Sequence, residues 1–113
     1  MNWKILKKKE DIDLLIEQSN IKPCLIFKHS ISCPISSMAK NRLESNWDLS
    51  NEDVDIYFLD LINYRSTSNR IAEVFQIKHE SPQALLIKEG VCVYNSSHLD
   101  ITAVDIKQQM ALT

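Results

Sequence analysis

The chain has 113 residues, of which 44% are hydrophobic and 25% charged, and its 13 basic and 15 acidic side chains give a net charge of −2. These proportions are typical of one globular domain and predict a single domain over residues 1–113. The only glycine, Gly90, excludes the glycine-rich loops that hold nucleotide phosphates.

Apolar periodicity predicts alternating strands and helices along the chain. In chain order the prediction is a strand at 3–6, a helix at 10–19, a strand at 24–29, a helix from 35 that fades near 47, a strand at 54–62, a helix at 66–76, and strands at 84–87 and 91–94. A final helix follows Thr102, its predicted N-cap, and runs to about 110. The run at 54–62 is apolar on both faces, which favours an interior parallel strand. The last two strands flank Glu89-Gly90 and predict an antiparallel hairpin. The expected fold class is therefore α/β, with a mixed central sheet flanked by helices.

The charge pattern and the N-terminus suggest where the protein acts. The basic cluster Lys7-Lys8-Lys9 is followed at once by acidic residues, so no nucleic-acid partner is expected. The longest apolar runs fall far short of the roughly 20 residues that cross a bilayer, so no membrane span is expected. The first residues lack the apolar core of a secretory signal, and we expect a cytoplasmic protein with three thiols.

Cys33 lies where a predicted strand gives way to a helix. A sulfur at this position faces unpaired N–H groups and the positive end of the helix dipole, which stabilise a thiolate. Pro34 suits the first helical position, and Ser36, one turn on, could donate a hydrogen bond to the thiolate. Because Ser36 stands where a dithiol pair has its second cysteine, Cys33 would form a mixed disulfide that an external thiol resolves. The alternative is that Cys33 is an inert residue at a helix start.

Ser81-Pro82 comes directly before a hairpin strand. In a sheet of this topology the proline would lie beside the cysteine loop, and a cis bond would turn the Ser81 backbone toward an extended substrate. An ordinary trans proline that opens a strand is the alternative. His79 is near enough in sequence to line the same groove.

The remaining cysteines and histidines have simpler interpretations. Cys24 and Cys92 fall in predicted strands and are expected to be inert core thiols. His29 is either a structural histidine or a neighbour that influences the thiolate, and no role follows for His98. No metal is expected, because ligand spacings such as C-x-x-C and H-x-x-x-H are missing.

Three segments together carry a resemblance to a known family. They are Lys28-His29-Ser30 followed by Ser32-Cys33-Pro34-Ile35-Ser36, then His79-Glu80-Ser81-Pro82-Gln83, and Ser97-His98-Leu99-Asp100-Ile101-Thr102. With these segments the chain resembles the thioredoxin superfamily and, within it, the YtxJ-type monothiol bacilliredoxins of the bacillithiol system. It departs from that family at Ser32, where threonine is more usual, and at Leu99, where tryptophan is expected.

The resemblance implies a thioredoxin-like fold and thiol–disulfide exchange without a bound cofactor. Cys33 would accept bacillithiol, the co-substrate, from a bacillithiolated client protein, and a second bacillithiol would restore the thiolate. Pro82 would be the superfamily's cis-proline, with Ser81 offering backbone hydrogen bonds. The predicted substrate site also includes Ser32, Pro34 and His79.

Two other functions are also consistent with the sequence. A non-catalytic thioredoxin-like module could bind a peptide at the Pro82 groove. An arsenate-reductase-like thiol enzyme would need several arginines around the thiol, and Arg42 lies more than two turns along the helix.

Because bacillithiol carries malate, Lys28 and Arg65 could attract its carboxylates, although solvated surface charge is the simpler interpretation.

Overall fold

The computed structural model of the chain describes residues 1–112 and alternates strands with helices as predicted. The strands are β1 (Lys4–Ile5), β2 (Cys24–His29), β3 (Asp55–Asp60), β4 (Gln83–Lys88) and β5 (Val91–Ser97), and the helices are α1 (Lys9–Ser19), α2 (Pro34–Ser45), α3 (Arg65–Phe75) and α4 (Ala103–Leu112). A short 3-10 helix at His98–Asp100 joins β5 to α4, and the sequence pattern did not predict it.

The strands form one five-stranded mixed sheet in the order β1-β3-β2-β4-β5. Strand β3 pairs in parallel with both β1 and β2, whereas β4 is antiparallel to β2 and to β5. The predicted interior parallel strand and antiparallel hairpin are thereby confirmed, as is the α/β class. None of the helices described in residues 1–112 is both long and apolar enough to span a membrane.

Local hydrogen bonds determine where β3 ends and where α4 begins. Strand β3 stops at Asp60, two residues before the apolar run ends, because the Asp60 carboxylate accepts hydrogen bonds from the backbone N–H groups of Ile62 and Asn63. The predicted N-cap of α4 is confirmed, since the backbone N–H of Asp105 donates to Thr102 Oγ1 at 3.2 Å.

Helices cover both faces of the sheet, and side chains of β2 alternate between them. Helices α1 and α3 pack on the face that holds Cys24 and Ile26, and α2 and α4 pack on the face that holds Leu25 and Phe27. Each large apolar side chain that is fully buried this way contributes about 1.5–3 kcal/mol to folding. The last two residues of β2 therefore direct their side chains to opposite faces of the sheet.

Candidate active site

Cys33 caps the N-terminus of α2 from an extended conformation with φ −107° and ψ 116°. Its backbone is fixed on both sides, because its N–H donates to Ser30 O at 3.1 Å and its C=O accepts from the N–H of Ser37 at 3.2 Å. The thiol is free and half-buried, and its sulfur makes no capping hydrogen bond. The sulfur is thus held in place through the backbone while remaining available to a reactant.

Ser36 is fully buried and contacts the end of β2 instead of the thiol. Its Oγ lies 2.7 Å from His29 Nδ1 and accepts a hydrogen bond of 3.1 Å from the Ser30 N–H. The predicted hydrogen bond from Ser36 to Cys33 is not found among the bonds of residues 1–112. The physical reason is that the hydroxyl has two closer partners inside the protein, so Ser36 positions the loop that carries Cys33.

His29 is a buried imidazole between the sheet and α2. Its ring centroid is 5.3 Å from that of Phe58, and only 7% of the residue is exposed. Burial lowers its pKa, as does the nearby charge of Lys40, while two neighbouring carboxylates oppose this shift. The sequence left two interpretations of His29 open, a structural histidine or a neighbour that influences the thiolate. The geometry favours a structural histidine, because its ring contacts Ser36 Oγ at 2.7 Å.

The peptide bond between Ser81 and Pro82 is cis, as predicted. Pro82 directly precedes Gln83, which pairs with Lys28 near the end of β2. Since β2 leads into the loop that carries Cys33, the proline and the cysteine lie at the same end of the sheet. Ser81 is half-buried and Pro82 is buried.

Side chains on both sides hold the cis-proline segment in place. The Gln83 side-chain amide donates to Lys78 O at 3.0 Å and accepts from the Glu80 N–H at 3.4 Å. The backbone N–H of His98 donates to Pro82 O at 3.0 Å, and its ring pairs with the Glu80 carboxylate at 3.7 Å. His98, which had no role in the sequence, therefore supports the predicted substrate-presenting segment.

Lys28 is fully buried. Its Nζ donates to Ser68 O at 3.1 Å and lies 3.2 Å from His79 Nδ1. Burial lowers the pKa of Lys28 to about 8. Solvated surface charge is therefore the wrong interpretation of Lys28, because the amine reaches a backbone carbonyl and an imidazole on the α3 face of the sheet. Arg65, the other candidate cation, is exposed at the start of α3.

His79 lies three residues before Pro82 and is half-buried. Burial lowers its pKa most, followed by the charges of Lys28 and Arg65. His79 thus joins Lys28, which its ring contacts at 3.2 Å, and Arg65, whose charge acts on the same ring. Of the other predicted substrate contacts, Ser32 and Pro34 are exposed on either side of Cys33.

The other two cysteines lie in strands, as predicted, but in different surroundings. Cys24 is fully buried at the opposite end of β2 from the Cys33 loop, and burial raises its pKa to about 11. Cys92 is half-buried in β5 rather than in the core, and burial raises its pKa as well. Across residues 1–112 there is no group of three or more His, Cys, Asp or Glu side chains that could hold a metal ion.

The fold and the site together define a class of protein. A strand leads into a helix that begins at a cysteine, and a cis-proline precedes the next strand of the same sheet. This arrangement is that of a thioredoxin-fold thiol oxidoreductase, here with a serine in place of a second cysteine.

Comparison with solved structures confirms the fold. A proposed oxidoreductase with a thioredoxin fold superposes with a TM-score of 0.80 at 32% identity, covering 93% of this chain and 90% of that chain. Thioredoxin from Fasciola hepatica gives a TM-score of 0.73 at 14% identity, with coverages of 96% and 97%. Mitochondrial thioredoxin 3 from Saccharomyces cerevisiae gives 0.72 at 15% identity, with coverages of 98% and 95%. At their low identity the two thioredoxins show the shared fold alone.

The family follows from the sequence match. The model of the family described as monothiol bacilliredoxin BrxC matches residues 4–106. The chain belongs to this family.

Proposed function

We propose that the protein removes bacillithiol from mixed disulfides on client proteins, as a bacilliredoxin of the YtxJ type. The observation that carries this proposal is a single half-buried thiol at the start of α2, with the Ser36 hydroxyl one turn further along. Membership of the monothiol bacilliredoxin family supports it. A serine cannot attack a disulfide formed at Cys33, so the cycle needs an external thiol.

The proposed chemistry is two successive thiol–disulfide exchanges. The Cys33 thiolate attacks the bacillithiol sulfur of the mixed disulfide, a new S–S bond forms at Cys33, and the client leaves as a thiolate that takes a proton from water. A second bacillithiol thiolate then attacks the bacillithiol sulfur on Cys33. Bacillithiol disulfide is formed, and the Cys33 thiolate is released. Each step exchanges one S–S bond for another, so electrons balance without a bound cofactor.

The substrate site is proposed to surround the thiol. The backbone of Ser81, next to Pro82, is proposed to hydrogen-bond the extended client segment, as an added strand would be held. Ser32 and Pro34 flank Cys33 and are exposed, so they are proposed to contact the disulfide as it docks. We also propose that the protein acts in the cytoplasm, with bacillithiol as co-substrate and bacillithiolated proteins as clients.

Transfer of bacillithiol onto Cys33 is the direct test. A purified bacillithiolated protein is mixed with the reduced chain, and digestion followed by mass spectrometry locates the bacillithiol adduct. We expect the adduct on the peptide that contains Cys33, with none in Cys33→Ser and an undiminished yield in the matched variant Cys92→Ser. An adduct confined to Cys24 or Cys92, or no transfer from the client, would overturn the proposal.

The arginines of the chain argue against the arsenate-reductase alternative. Arg42 donates to the carbonyl oxygens of Leu99 and Ile101, and Arg70 pairs with Glu73 at 3.4 Å. Oxyanion reduction requires several guanidinium groups around the thiol. Arg65 alone among the three has no ion pair or hydrogen bond within residues 1–112, and one guanidinium does not make such a site.

A further inference from the structure

Three basic side chains converge beside the cis-proline segment. Lys28 Nζ contacts His79 Nδ1 at 3.2 Å. Arg65 lies three residues, one helical turn, before Ser68 on α3, and the Ser68 hydroxyl is 3.5 Å from the same ring nitrogen. Neither Lys28 nor Arg65 forms an ion pair with a carboxylate in the described part of the chain. Positive charge is therefore concentrated here without a protein counter-charge.

Burial makes the lack of a counter-charge costly for Lys28. A buried ammonium is stable when its donors are satisfied and an opposite charge is near. Two donors of Lys28 are directed at Ser68 O and His79 Nδ1, and neither acceptor carries a negative charge. An anion beside His79 would supply the charge that the protein itself does not provide.

The imidazole of His79 can donate a hydrogen bond to such an anion. Because Nδ1 accepts the hydrogen bond from the Lys28 ammonium, the ring hydrogen lies on Nε2. Nε2 has no hydrogen-bond partner in residues 1–112, and the ring is half-buried. The Glu80 carboxylate opposes the lowering of the His79 pKa by burial, and it lies 3.7 Å from His98 Nδ1.

The cluster lies at the same end of the sheet as Cys33. Lys28 is the second-last residue of β2, and Arg65 begins the helix that follows β3. The two strands run in parallel and end together, with His29 opposite Asp60. Cys33 follows β2 from this same end, so a small molecule at the thiol can extend toward the cluster.

We propose that Arg65 and the His79 ring, with Lys28 behind it, bind a carboxylate of the low-molecular-weight thiol that exchanges at Cys33. The inference rests on the proposed function, because it names the charge class of the small thiol used there. Arg65 supplies the exposed positive charge and His79 the neutral donor. Lys28 fixes the tautomer and orientation of the His79 ring.

The test compares a negatively charged with a neutral disulfide reagent. Dithiobis(nitrobenzoate) carries carboxylates and dithiodipyridine carries none. In both reactions the Cys33 thiolate attacks one sulfur, a Cys33–S–S–R bond forms, and a coloured aromatic thiol or its tautomer is released and measured. Cys92→Ser serves as the parent, since Cys24 is fully buried and Cys33 is then the accessible thiol. The measured quantity is the ratio of the two second-order rate constants.

We expect Arg65→Gln to lower the ratio of anionic to neutral rate by about threefold to tenfold, as loss of a steering charge does. His79→Gln should lower it too. Arg70→Gln is the matched control, because it removes the same charge from the same helix at a site paired with Glu73, and its ratio should equal that of the parent. Added salt should lower the ratio of the parent toward that of Arg65→Gln.

An unchanged ratio in Arg65→Gln, or an equal fall in Arg70→Gln, would overturn the carboxylate site while leaving exchange at Cys33 intact. Failure of Cys33 to react with either reagent in the parent would instead overturn the proposed function. The two failures are therefore distinguishable within one experiment.

Discussion

Ser36 Oγ lies 2.7 Å from His29 Nδ1, which ties the first turn of α2 to the last residue of β2. The same oxygen accepts the N–H of Ser30, so one hydroxyl joins the strand, the loop and the helix around Cys33. Ser36 therefore has a structural role of its own, because its hydroxyl fixes the loop that carries Cys33.

Replacing Ser36 tests that positioning role. In Ser36→Ala the buried Ser30 N–H and His29 Nδ1 lose their shared partner, and we expect a loss of about 1–3 kcal/mol in the free energy of unfolding measured with urea. Ser37→Ala, on the exposed side of the same turn, should stay within about 0.5 kcal/mol of the wild type. Unaltered stability in Ser36→Ala together with slower reaction of Cys33 would mean that the hydroxyl acts on the thiolate, as the sequence first suggested.

Restoring a second thiol should change the redox behaviour of the protein. Positions 33 and 36 lie at the cap and first turn of α2, on one side of the helix. We expect Ser36→Cys to form an internal disulfide on oxidation, seen in the intact mass as the loss of two hydrogen atoms. Ser37→Cys points away from this side and should retain its free thiols under the same oxidant. Finding the internal disulfide in Ser37→Cys but not in Ser36→Cys would contradict the geometry.

The three cysteines should differ in their rates of alkylation. Cys24 is fully buried and its pKa is raised to about 11, so we expect modification of Cys24 only after unfolding. Cys92 is half-buried with a raised pKa and should react more slowly than Cys33 near neutral pH. Mass spectrometry of peptides after brief treatment with iodoacetamide gives the order. Modification of Cys24 as fast as that of Cys33 in the folded protein would contradict its placement.

Burial of Lys28 predicts a specific dependence of stability on pH. Its pKa falls from 10.5 to about 8 in the folded protein, so between these values the unfolded chain holds a proton that the folded chain has lost. The contribution of Lys28 to the free energy of unfolding therefore rises with pH across this interval, by about 1–3 kcal/mol. Below about pH 8 both states are protonated, and the contribution is constant.

Comparison with Lys28→Met isolates that contribution. The buried Cys24 thiol also titrates above pH 8 and acts in the opposite direction, but it is common to both proteins. We expect the stability of the wild type relative to Lys28→Met to increase with pH between about 8 and 10. The exposed control Lys78→Met should show no such trend. A difference between wild type and Lys28→Met that is independent of pH would contradict the burial of a titrating amine.

Residues that are close together in the sequence were enough to predict several elements of the fold. Strand β2 was predicted with its observed ends, because its apolar run is bounded by Pro23 and by a serine-rich loop. The bond before Pro82 is cis, which the family resemblance implied, whereas the local sequence left cis and trans both open. The cap at Thr102 was predicted, as was the cysteine at the start of α2. Each of these depends on residues within a few positions along the chain.

The features that were missed depend on residues far apart in sequence. Lys28 looked like a surface cation because its partners, Ser68 and His79, come 40 and 51 residues later. The contact between Ser36 and His29 spans only 7 positions, but it requires knowing which face of β2 meets α2. Which helices cover each face of the sheet depends on the packing of whole helices. A short stretch of sequence does not contain that information.

The alternation at the end of β2 has a consequence for how this segment can vary in length. Lys28 and His29 are adjacent, yet one amine is directed to α3 and one imidazole to α2. Deleting a single residue within β2 would exchange the two faces and set the amine under α2, against Ser36. The number of residues within β2, from Cys24 to His29, therefore decides which side chain reaches which helix. Related chains that keep this chemistry should vary in this segment by substitution and not by odd-numbered insertions or deletions.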